Sequence, residues 1–162
     1  LEIGTAVGFS ALYMNEYQRR MERLVPSREM KKESGRPEKY KALDREAKIT
    51  LLEGDAADIL RGIDDSFDFI FMDAAKGQYI YFLEDVLRLL APEGLLISDN
   101  VLQDGDIVKS RYAIERRDRT IHKRMRDYLY TIKNHSMLET AVLTVGDGVA
   151  VSWKIGENHE KE

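Results

Sequence analysis

The sequence of 162 residues contains no cysteine, only three prolines and a single tryptophan. Without cysteine the chain can form neither disulfide bonds nor thiolate metal sites, which fits a reducing compartment, so we expect a cytoplasmic protein. No apolar run approaches the roughly 20 residues that a membrane-spanning helix needs. No secretory signal is visible, and the chain begins at Leu1 within a motif, so we expect that an N-terminal part of the protein is missing.

The residues that are present suit one globular domain. Hydrophobic residues make up 43% of the chain and charged residues 33%, which is typical of a chain that folds around a core. We expect a single domain over residues 1–156, followed by a frayed tail at 157–162. The net charge of -4 argues against indiscriminate nucleic-acid binding. The charge is uneven, however, because Lys109–Lys133 holds nine Lys or Arg against three acids.

Two apolar runs end abruptly in acidic or amide side chains. The run 67–72 leads to Asp73, and the run 95–98 leads to Asp99 and Asn100. Short apolar runs bounded by turn residues predict strands that are buried on both faces of a parallel sheet, where ligands bind at the carboxyl ends of the strands. Two carboxylates and an amide oxygen suit a hard divalent cation such as Mg²⁺. The pattern therefore predicts a metal site at one edge of a sheet, with Lys76 beside it.

The order of the remaining patterns predicts a Rossmann-like, doubly wound α/β domain with a mostly parallel sheet. Further strands are expected near residue 1 and at 49–54, and helices at 57–63, 79–90 and 109–134. Pro92 and Gly94 are expected to end the second of these helices. A glycine turn at Gly146-Asp147-Gly148 predicts a C-terminal hairpin whose second strand is antiparallel to the rest of the sheet. The last helix should bury an apolar stripe formed by Ile114, Ile121, Met125, Tyr128, Leu129 and Ile132.

Residues 15–48 do not fit this order well. A doubly wound fold needs a second strand here, ending in an acid that holds ribose hydroxyls. The segment is rich in Lys and Arg and contains Pro26, Gly35 and Pro37, which predicts a poor strand. It is either a solvated connection or the product of a reading-frame error, because reading Leu24–Lys31 one base earlier permits Val-Gly-Thr-Ile-Glu-Arg-Asp-Glu. In either case no ribose-binding acid can be assigned.

Two motifs have both a structural and a ligand-binding interpretation. The opening turn with Gly4 and Gly8 is either a simple strand-to-helix turn or a place where a ligand approaches the backbone. Its spacing differs from the G-x-G-x-x-G fingerprint, which disfavours a dinucleotide-binding dehydrogenase. Asp55 either caps the following helix or, together with Ala56, accepts or donates hydrogen bonds at an adenine-like ring, and both roles are compatible.

Five motifs together resemble those of the cation-dependent O-methyltransferases, the group of the catechol and caffeoyl-CoA methyltransferases. In chain order they are Leu-Glu-Ile-Gly-Thr-Ala-Val-Gly-Phe-Ser (1–10), Glu-Gly-Asp-Ala (53–56), Asp-Phe-Ile-Phe-Met-Asp-Ala-Ala-Lys-Gly-Gln-Tyr (68–79), Ser-Asp-Asn-Val-Leu (98–102) and Val-Gly-Asp-Gly-Val-Ala-Val (145–151). The resemblance covers all of the chain except 15–48 and the tail. It implies a class I methyltransferase fold that binds S-adenosylmethionine (SAM) and a divalent cation.

The resemblance also implies roles for individual residues. Asp73, Asp99 and Asn100 match the metal ligands, and Lys76 matches the catalytic lysine that takes a proton from the acceptor hydroxyl. The positions that contact SAM are Glu2, Gly4, Thr5, Ser10, Asp55, Ala56 and Asp73. The N-terminal helices of the family, which help to cover the site and often form a homodimer, have no counterpart in this chain.

The substrate is less narrowly defined by the resemblance. Residues 116–129 look most like the bacterial branch that methylates 5-hydroxyuridine at the wobble position of tRNA. That branch implies tRNA phosphate contacts from Arg116, Arg117, Arg119, Lys123 and Arg124. The alternatives are a small-molecule enzyme acting on catechol- or caffeoyl-CoA-type phenols, for which the basic helix is only a solvated surface, and a truncated relic that folds but binds no SAM. Both substrates offer two neighbouring oxygens that Mg²⁺ could chelate.

Overall fold

A computed structural model of the chain describes residues 1–4, 13–14, 26–28 and 52–156. The strands are β1 (Glu2–Ile3), β2 (Pro26–Arg28), β3 (Leu52–Glu53), β4 (Phe67–Met72), β5 (Leu90–Ser98), β6 (Leu138–Leu143) and β7 (Val149–Lys154). The α-helices are α1 (Ala56–Gly62), α2 (Tyr79–Leu89) and α3 (Arg119–Asn134), and short 3-10 helices lie at Asp106–Val108 and Arg111–Ala113. No helix in these ranges is both long and apolar enough to span a bilayer.

All seven strands form one sheet in the order β3-β2-β1-β4-β5-β7-β6. The strands β1 to β5 pair in parallel, whereas β7 is antiparallel to both β5 and β6. This arrangement confirms the predicted fold class, including the antiparallel C-terminal hairpin. The strand order reverses between β1 and β4, which is the point where ligands bind in open α/β sheets.

The core follows from the apolar runs that define the sheet and from the buried faces of the helices. In β4, Phe67, Ile70 and Met72 are buried, and α2 packs on the sheet through an apolar face that recurs every three or four residues. Of the predicted stripe, Met125, Tyr128 and Ile132 are buried on α3, Leu129 is partly buried and Ile121 is 39% exposed. Ile114 is also buried, but it precedes the helix. His122 is buried instead of Ile121, because it lies on the same face of the helix as Met125 and Ile132.

The predicted helix over 109–134 was wrong in its first ten residues. The α-helix begins only at Arg119, and the preceding segment folds into turns and the 3-10 helix Arg111–Ala113. Ser110 caps that 3-10 helix by accepting a hydrogen bond from Tyr112 N, and Arg119 Nε donates to the carbonyl of Ile114 at 3.0 Å. These local contacts to side chains compete with the regular helical hydrogen bonds, so apolar periodicity alone placed the start too early.

The strand predicted at 95–98 begins earlier in the structure than the sequence indicates. Strand β5 begins at Leu90, directly after α2, and Leu90 pairs with Phe67. The next pair joins Leu95 to Phe69, so the intervening residues of β5 bulge out of the ladder, with Glu93 at a φ of 63°. A bulge tolerates the proline at position 92 because that residue need not donate a ladder hydrogen bond.

The prediction that residues 15–48 make only a poor strand was wrong for Pro26–Arg28. These residues form β2, which pairs in parallel with β1 on one side and β3 on the other. Two neighbouring strands supply the partners that the local sequence does not suggest, and such context overrides strand propensity. Other predictions fall outside the described residues. They concern the ribose-binding acid, the reading-frame hypothesis, Thr5, Ser10 and the tail at 157–162.

Candidate active site

Three strand ends meet at one edge of the sheet. Ile3, Met72 and Ser98 are in register on β1, β4 and β5, so the residues that follow them lie side by side. Hydrogen bonds join the ends of neighbouring strands: Asp73 N donates to the Ile3 carbonyl at 2.9 Å, and Asp99 N donates to the Met72 carbonyl at 3.0 Å. The alignment places Asp73 and Asp99 at neighbouring strand ends, as the sequence predicts.

The glycine turn after β1 lies against the first of these strand ends. Gly4 has a φ of 101°, and a Cβ atom built on it would lie 1.9 Å from the carbonyl oxygen of Asp73. Any side chain at this position would therefore force the two backbones apart. The close approach explains why the opening motif has glycine here. Glu2, two residues before Gly4, is 2% exposed.

Asp55 caps helix α1, which confirms one of its two predicted roles. Its Oδ1 atom accepts hydrogen bonds from Ala57 N at 2.9 Å and from Asp58 N at 3.3 Å. This is the usual function of an aspartate at an N-cap, where the first helical N–H groups have no partner within the helix. Ala56 is buried in the core. Contacts of Asp55 and Ala56 with an adenine ring stay a prediction.

The Lys76 amine lies at the centre of the predicted metal and catalytic residues. Its Nζ atom donates to Asn100 Oδ1 at 2.9 Å and lies 3.4 Å from both Asp73 Oδ1 and the backbone oxygen of Asp99. Asn100 has a φ of 52° and donates its own N–H to Asp99 Oδ1 at 2.7 Å. Asparagine tolerates this left-handed conformation better than most residues. We call Asp73, Lys76, Asp99 and Asn100 the strand-tip cluster.

The donor atoms of the strand-tip cluster suit a hard divalent cation. Asp73 and Asn100 direct their Oδ1 atoms at the same positive charge, and Asp99 adds a carboxylate beside them. Carboxylate and amide oxygens are the ligands that Mg²⁺ prefers. Within the described ranges no three His, Cys, Asp or Glu side chains form a ligand group, so such a site depends on the Asn100 amide. The role of these residues as metal ligands stays a prediction.

Tyr79 belongs to this site although the sequence predicted it only as the start of a helix. It is 0% exposed, and its hydroxyl oxygen lies 3.0 Å from the Asp99 carbonyl, 3.1 Å from the Met72 carbonyl and 3.4 Å from Lys76 Nζ. Burial, reinforced by the negative charge of Asp73, raises the pKa of Tyr79 above its usual range, so the hydroxyl keeps its proton. In the sequence, the place of Tyr79 at this site was indicated only by its position three residues after Lys76.

A second buried tyrosine lies behind the first. The rings of Tyr79 and Tyr128 meet edge to face, with centroids 5.4 Å apart and planes at 82°. Tyr128 shares a hydrogen bond of 2.5 Å with Ser98 Oγ, and burial raises the pKa of Tyr128 above its usual range. Helix α2 thus places Tyr79, and helix α3 places Tyr128, at the end of the sheet.

Of the five predicted phosphate contacts at 109–133, two pair with local acids, two bind the backbone, and Arg116 is exposed. Arg117 pairs with Glu115 at 3.0 Å and with Asp118 at 3.3 Å, and Lys123 pairs with Asp127 at 2.5 Å. All three distances join side chains within four positions of each other in the sequence. These pairs occupy Arg117 and Lys123, whereas the excess of positive charge in the segment remains.

Two other cations of this segment bind the protein backbone. Arg119 donates to the carbonyl of Ile114, as described above. Arg124 Nη1 lies 3.4 Å from the carbonyl oxygen of Gly77, and its guanidinium is 5.0 Å from the centre of the Tyr81 ring. Arg124 therefore supports the loop that follows Lys76, which the sequence did not predict. We call the charged surface at 109–133 the basic segment.

Comparison with known proteins places this geometry in context. A family model described as O-methyltransferase matches residues 1–155. A catechol O-methyltransferase from Niastella koreensis is 31% identical over 115 residues, which are 67% of this chain and 51% of that protein. The structure of a proposed caffeoyl-CoA O-methyltransferase from Staphylococcus aureus superimposes with a TM-score of 0.82 at 29% identity, covering 94% of this chain and 74% of that one.

A third similarity concerns the fold alone. The structure of an SAH-bound (S-adenosylhomocysteine-bound) methyltransferase from Podospora anserina superimposes with a TM-score of 0.78 at 24% identity, covering 94% of this chain and 70% of that one. The chain covers 46%, 51% and 44% of the length of three curated relatives and 68% of a fourth, an O-methyltransferase from Aspergillus thermomutatus.

Proposed function

Since this chain belongs to the O-methyltransferase family, we propose that it transfers a methyl group from SAM to a hydroxyl of a small phenol. The acceptor carries a second oxygen next to that hydroxyl, as catechol does. The observation that supports this proposal is the strand-tip cluster, in which one amine lies among acidic and amide oxygens at the ends of two parallel strands. Such an arrangement places a base beside oxygen atoms that could bind a cation.

Binding of SAM is supported by the position of the glycine turn. Gly4 follows β1 at the point where the strand order reverses, and its backbone lies against that of Asp73. A turn without side chains at this point lets a ligand approach the main chain closely. Glu2, Gly4, Asp55, Ala56 and Asp73 are the described residues that we assign to SAM.

The chemistry follows from the atoms around Lys76. When bound, SAM would supply an activated methyl group; Asp73, Asp99 and Asn100 would hold a divalent cation, which would lower the pKa of the acceptor hydroxyl from about 10. In its unprotonated form, Lys76 would accept the proton of that hydroxyl at Nζ, which lies beside Asn100, one of the residues that would hold the cation. The strand ends hold the amine in place, and fixed placement of reacting groups accounts for a large part of such rate accelerations.

A small phenol has more support as the acceptor than tRNA. The catechol and caffeoyl-CoA names of the relatives describe small-molecule enzymes. In the basic segment Arg117 and Lys123 are ion-paired, and Arg119 is bound to the backbone. Charges that are already neutralised release fewer counterions on binding phosphates and contribute less to tRNA affinity.

One incubation series tests both substrates. The protein is mixed with SAM and Mg²⁺, and either catechol or tRNA that contains 5-hydroxyuridine is added, with mass spectrometry of the products. We expect catechol to gain one methyl group, the reaction to stop when EDTA removes the cation, and activity to return with added Mg²⁺. Methylation of tRNA alone would replace the proposed acceptor. No transfer to either substrate, combined with no heat of SAM binding in calorimetry, would identify a non-catalytic relic.

A further inference from the structure

Tyr79 connects the two strand ends of the candidate site through a single hydroxyl group. The phenolic oxygen lies 3.1 Å from the carbonyl of Met72, the last residue of β4, and 3.0 Å from the carbonyl of Asp99, just after β5. Because a phenol has only one proton, it donates to one of these carbonyls at a time. Its lone pairs stay available to accept from Lys76 Nζ, which is 3.4 Å away.

The position of the ring is itself fixed by packing. Tyr79 is 0% exposed and begins helix α2, and its ring packs edge to face on Tyr128. Lys76 Nζ lies 5.4 Å from the centre of the Tyr79 ring, within the range of a cation–π contact. A buried aromatic side chain at a helix start has little freedom to move, so it can serve as a rigid reference for the flexible lysine side chain.

We propose that Tyr79 is a positioning residue, whose hydroxyl fixes the Lys76 amine and the Asp99–Asn100 peptide relative to each other. This inference rests on the proposed function, because it assigns Tyr79 to the same methyl transfer. The residue does not contact the reacting atoms and acts only through Lys76 and the strand ends. Removing the hydroxyl leaves Asn100 as the closest partner of the amine and lets the lysine side chain adopt other rotamers.

Tyr128 provides a matched control in the same part of the core. Both tyrosines are 0% exposed, their rings are in contact, and each hydroxyl is hydrogen-bonded. The Tyr128 hydroxyl binds Ser98 Oγ and makes no contact with Lys76 among the described residues. Replacing either tyrosine by phenylalanine removes one buried hydroxyl, and only the change at Tyr79 removes a partner of the amine.

Steady-state kinetics with catechol compare Tyr79→Phe with Tyr128→Phe. We expect kcat to fall about 10- to 100-fold in Tyr79→Phe because of misplacement of the base, with the KM for SAM changed less than about threefold. In Tyr128→Phe we expect kcat to stay within about threefold of the wild-type value. Equal losses in both variants, or an unchanged kcat in Tyr79→Phe, would overturn the assignment of Tyr79.

A second measurement does not need methyl transfer. Reductive methylation with formaldehyde and cyanoborohydride, followed by peptide mass spectrometry, gives the labelling rate of Lys76. We expect this rate to rise in Tyr79→Phe and to match wild type in Tyr128→Phe; equal rates in all three proteins would contradict the proposal. If the wild-type protein methylates no phenol, the proposed function fails, while the labelling rates still decide whether Tyr79 positions the amine.

The unsubstituted protein offers a test that does not depend on the folding of a variant. With isotope-labelled lysine, NMR should show strong nuclear Overhauser contacts between the Lys76 Hε protons and the Tyr79 ring. Their absence in the folded wild-type protein would show that the amine is not held by this tyrosine, and the proposal would be wrong.

Discussion

The strand-tip cluster and the basic segment differ in where their charged side chains find partners. In the strand-tip cluster, Lys76 contacts Asn100, which is 24 positions away in the sequence, and both side chains are partly buried. In the basic segment, Arg117 and Lys123 pair with acids that lie within four positions on the same exposed surface. One set of contacts therefore requires the folded sheet, whereas the other needs little more than a local turn or helix.

This difference shows that a run of like charges in a sequence is a weak guide to a binding surface. Exposed ion pairs between sequence neighbours contribute about 0–1 kcal/mol each, and they occupy side chains that a count of charges would treat as available to a ligand. Partly buried contacts between distant residues are harder to form by chance and hold their groups in a defined geometry.

The largest effect is expected for the base. Lys76→Met should lower kcat for catechol methylation by about 10²- to 10⁴-fold, the usual contribution of a general base. Lys123→Met is the matched control, because this lysine is exposed and, among the described residues, pairs with Asp127. Initial rates with saturating SAM and Mg²⁺ check the expectation. Comparable losses in both variants would mean that the two regions do not differ in function.

A glycine next to the strand-tip cluster should be more sensitive than one in a loop. Gly4→Ala should lower the free energy of unfolding by about 2–4 kcal/mol, since the added Cβ meets the Asp73 backbone and the φ is positive. Gly105→Ala also has a positive φ but open space around its Cβ position, and about 1 kcal/mol is expected. Urea denaturation measures both values, and a smaller loss for Gly4→Ala than for Gly105→Ala would contradict the described contact.

The buried tyrosines predict a loss of stability in alkaline solution. Burial raises the pKa of Tyr128 above that of an unfolded tyrosine, so the unfolded chain releases this proton first as pH rises. Stability is therefore unaffected at neutral pH and decreases above pH 10, by about 1.4 kcal/mol per pH unit for each such group. Denaturation between pH 9 and 11 should show a shallower decrease for Tyr128→Phe than for wild type. Parallel curves would show that Tyr128 ionises normally in the fold.

The smallest effects are expected in the basic segment. Combined reversal of Arg116, Arg117 and Arg119 to glutamate should change catechol turnover less than about threefold and stability by about 1 kcal/mol or less. The same variant tests the tRNA hypothesis by filter binding at several salt concentrations. Salt-sensitive binding of tRNA by wild type that the variant loses would favour tRNA as a partner. Binding that the reversal leaves unchanged would remove these arginines as phosphate contacts.

Much of the fold could be predicted because its signals are local. The bounds of β4 at Phe67–Met72 follow from an apolar run between turn residues, and the hairpin of β6 and β7 follows from its glycine turn. Helix α2 ends at Leu89, within one residue of the prediction, because Pro92 limits how far it can continue. The short strand β2 and the bulge in β5 could not be predicted, since both depend on partners elsewhere in the chain. The late start of α3 was missed because apolar periodicity does not report the side-chain contacts that precede it.

The sequence by itself determined which residues end the strands and that the sheet is mostly parallel, because strand length, apolar runs and turn residues are properties of short segments. It therefore placed Asp73, Asp99 and Asn100 at one edge and Lys76 beside them. Only the tertiary structure decided that the hydroxyl of Tyr79 reaches both strand ends and that Arg117 and Lys123 of the basic segment pair with neighbouring acids. Those outcomes depend on side-chain directions and distances across the sheet, which residue order alone does not specify.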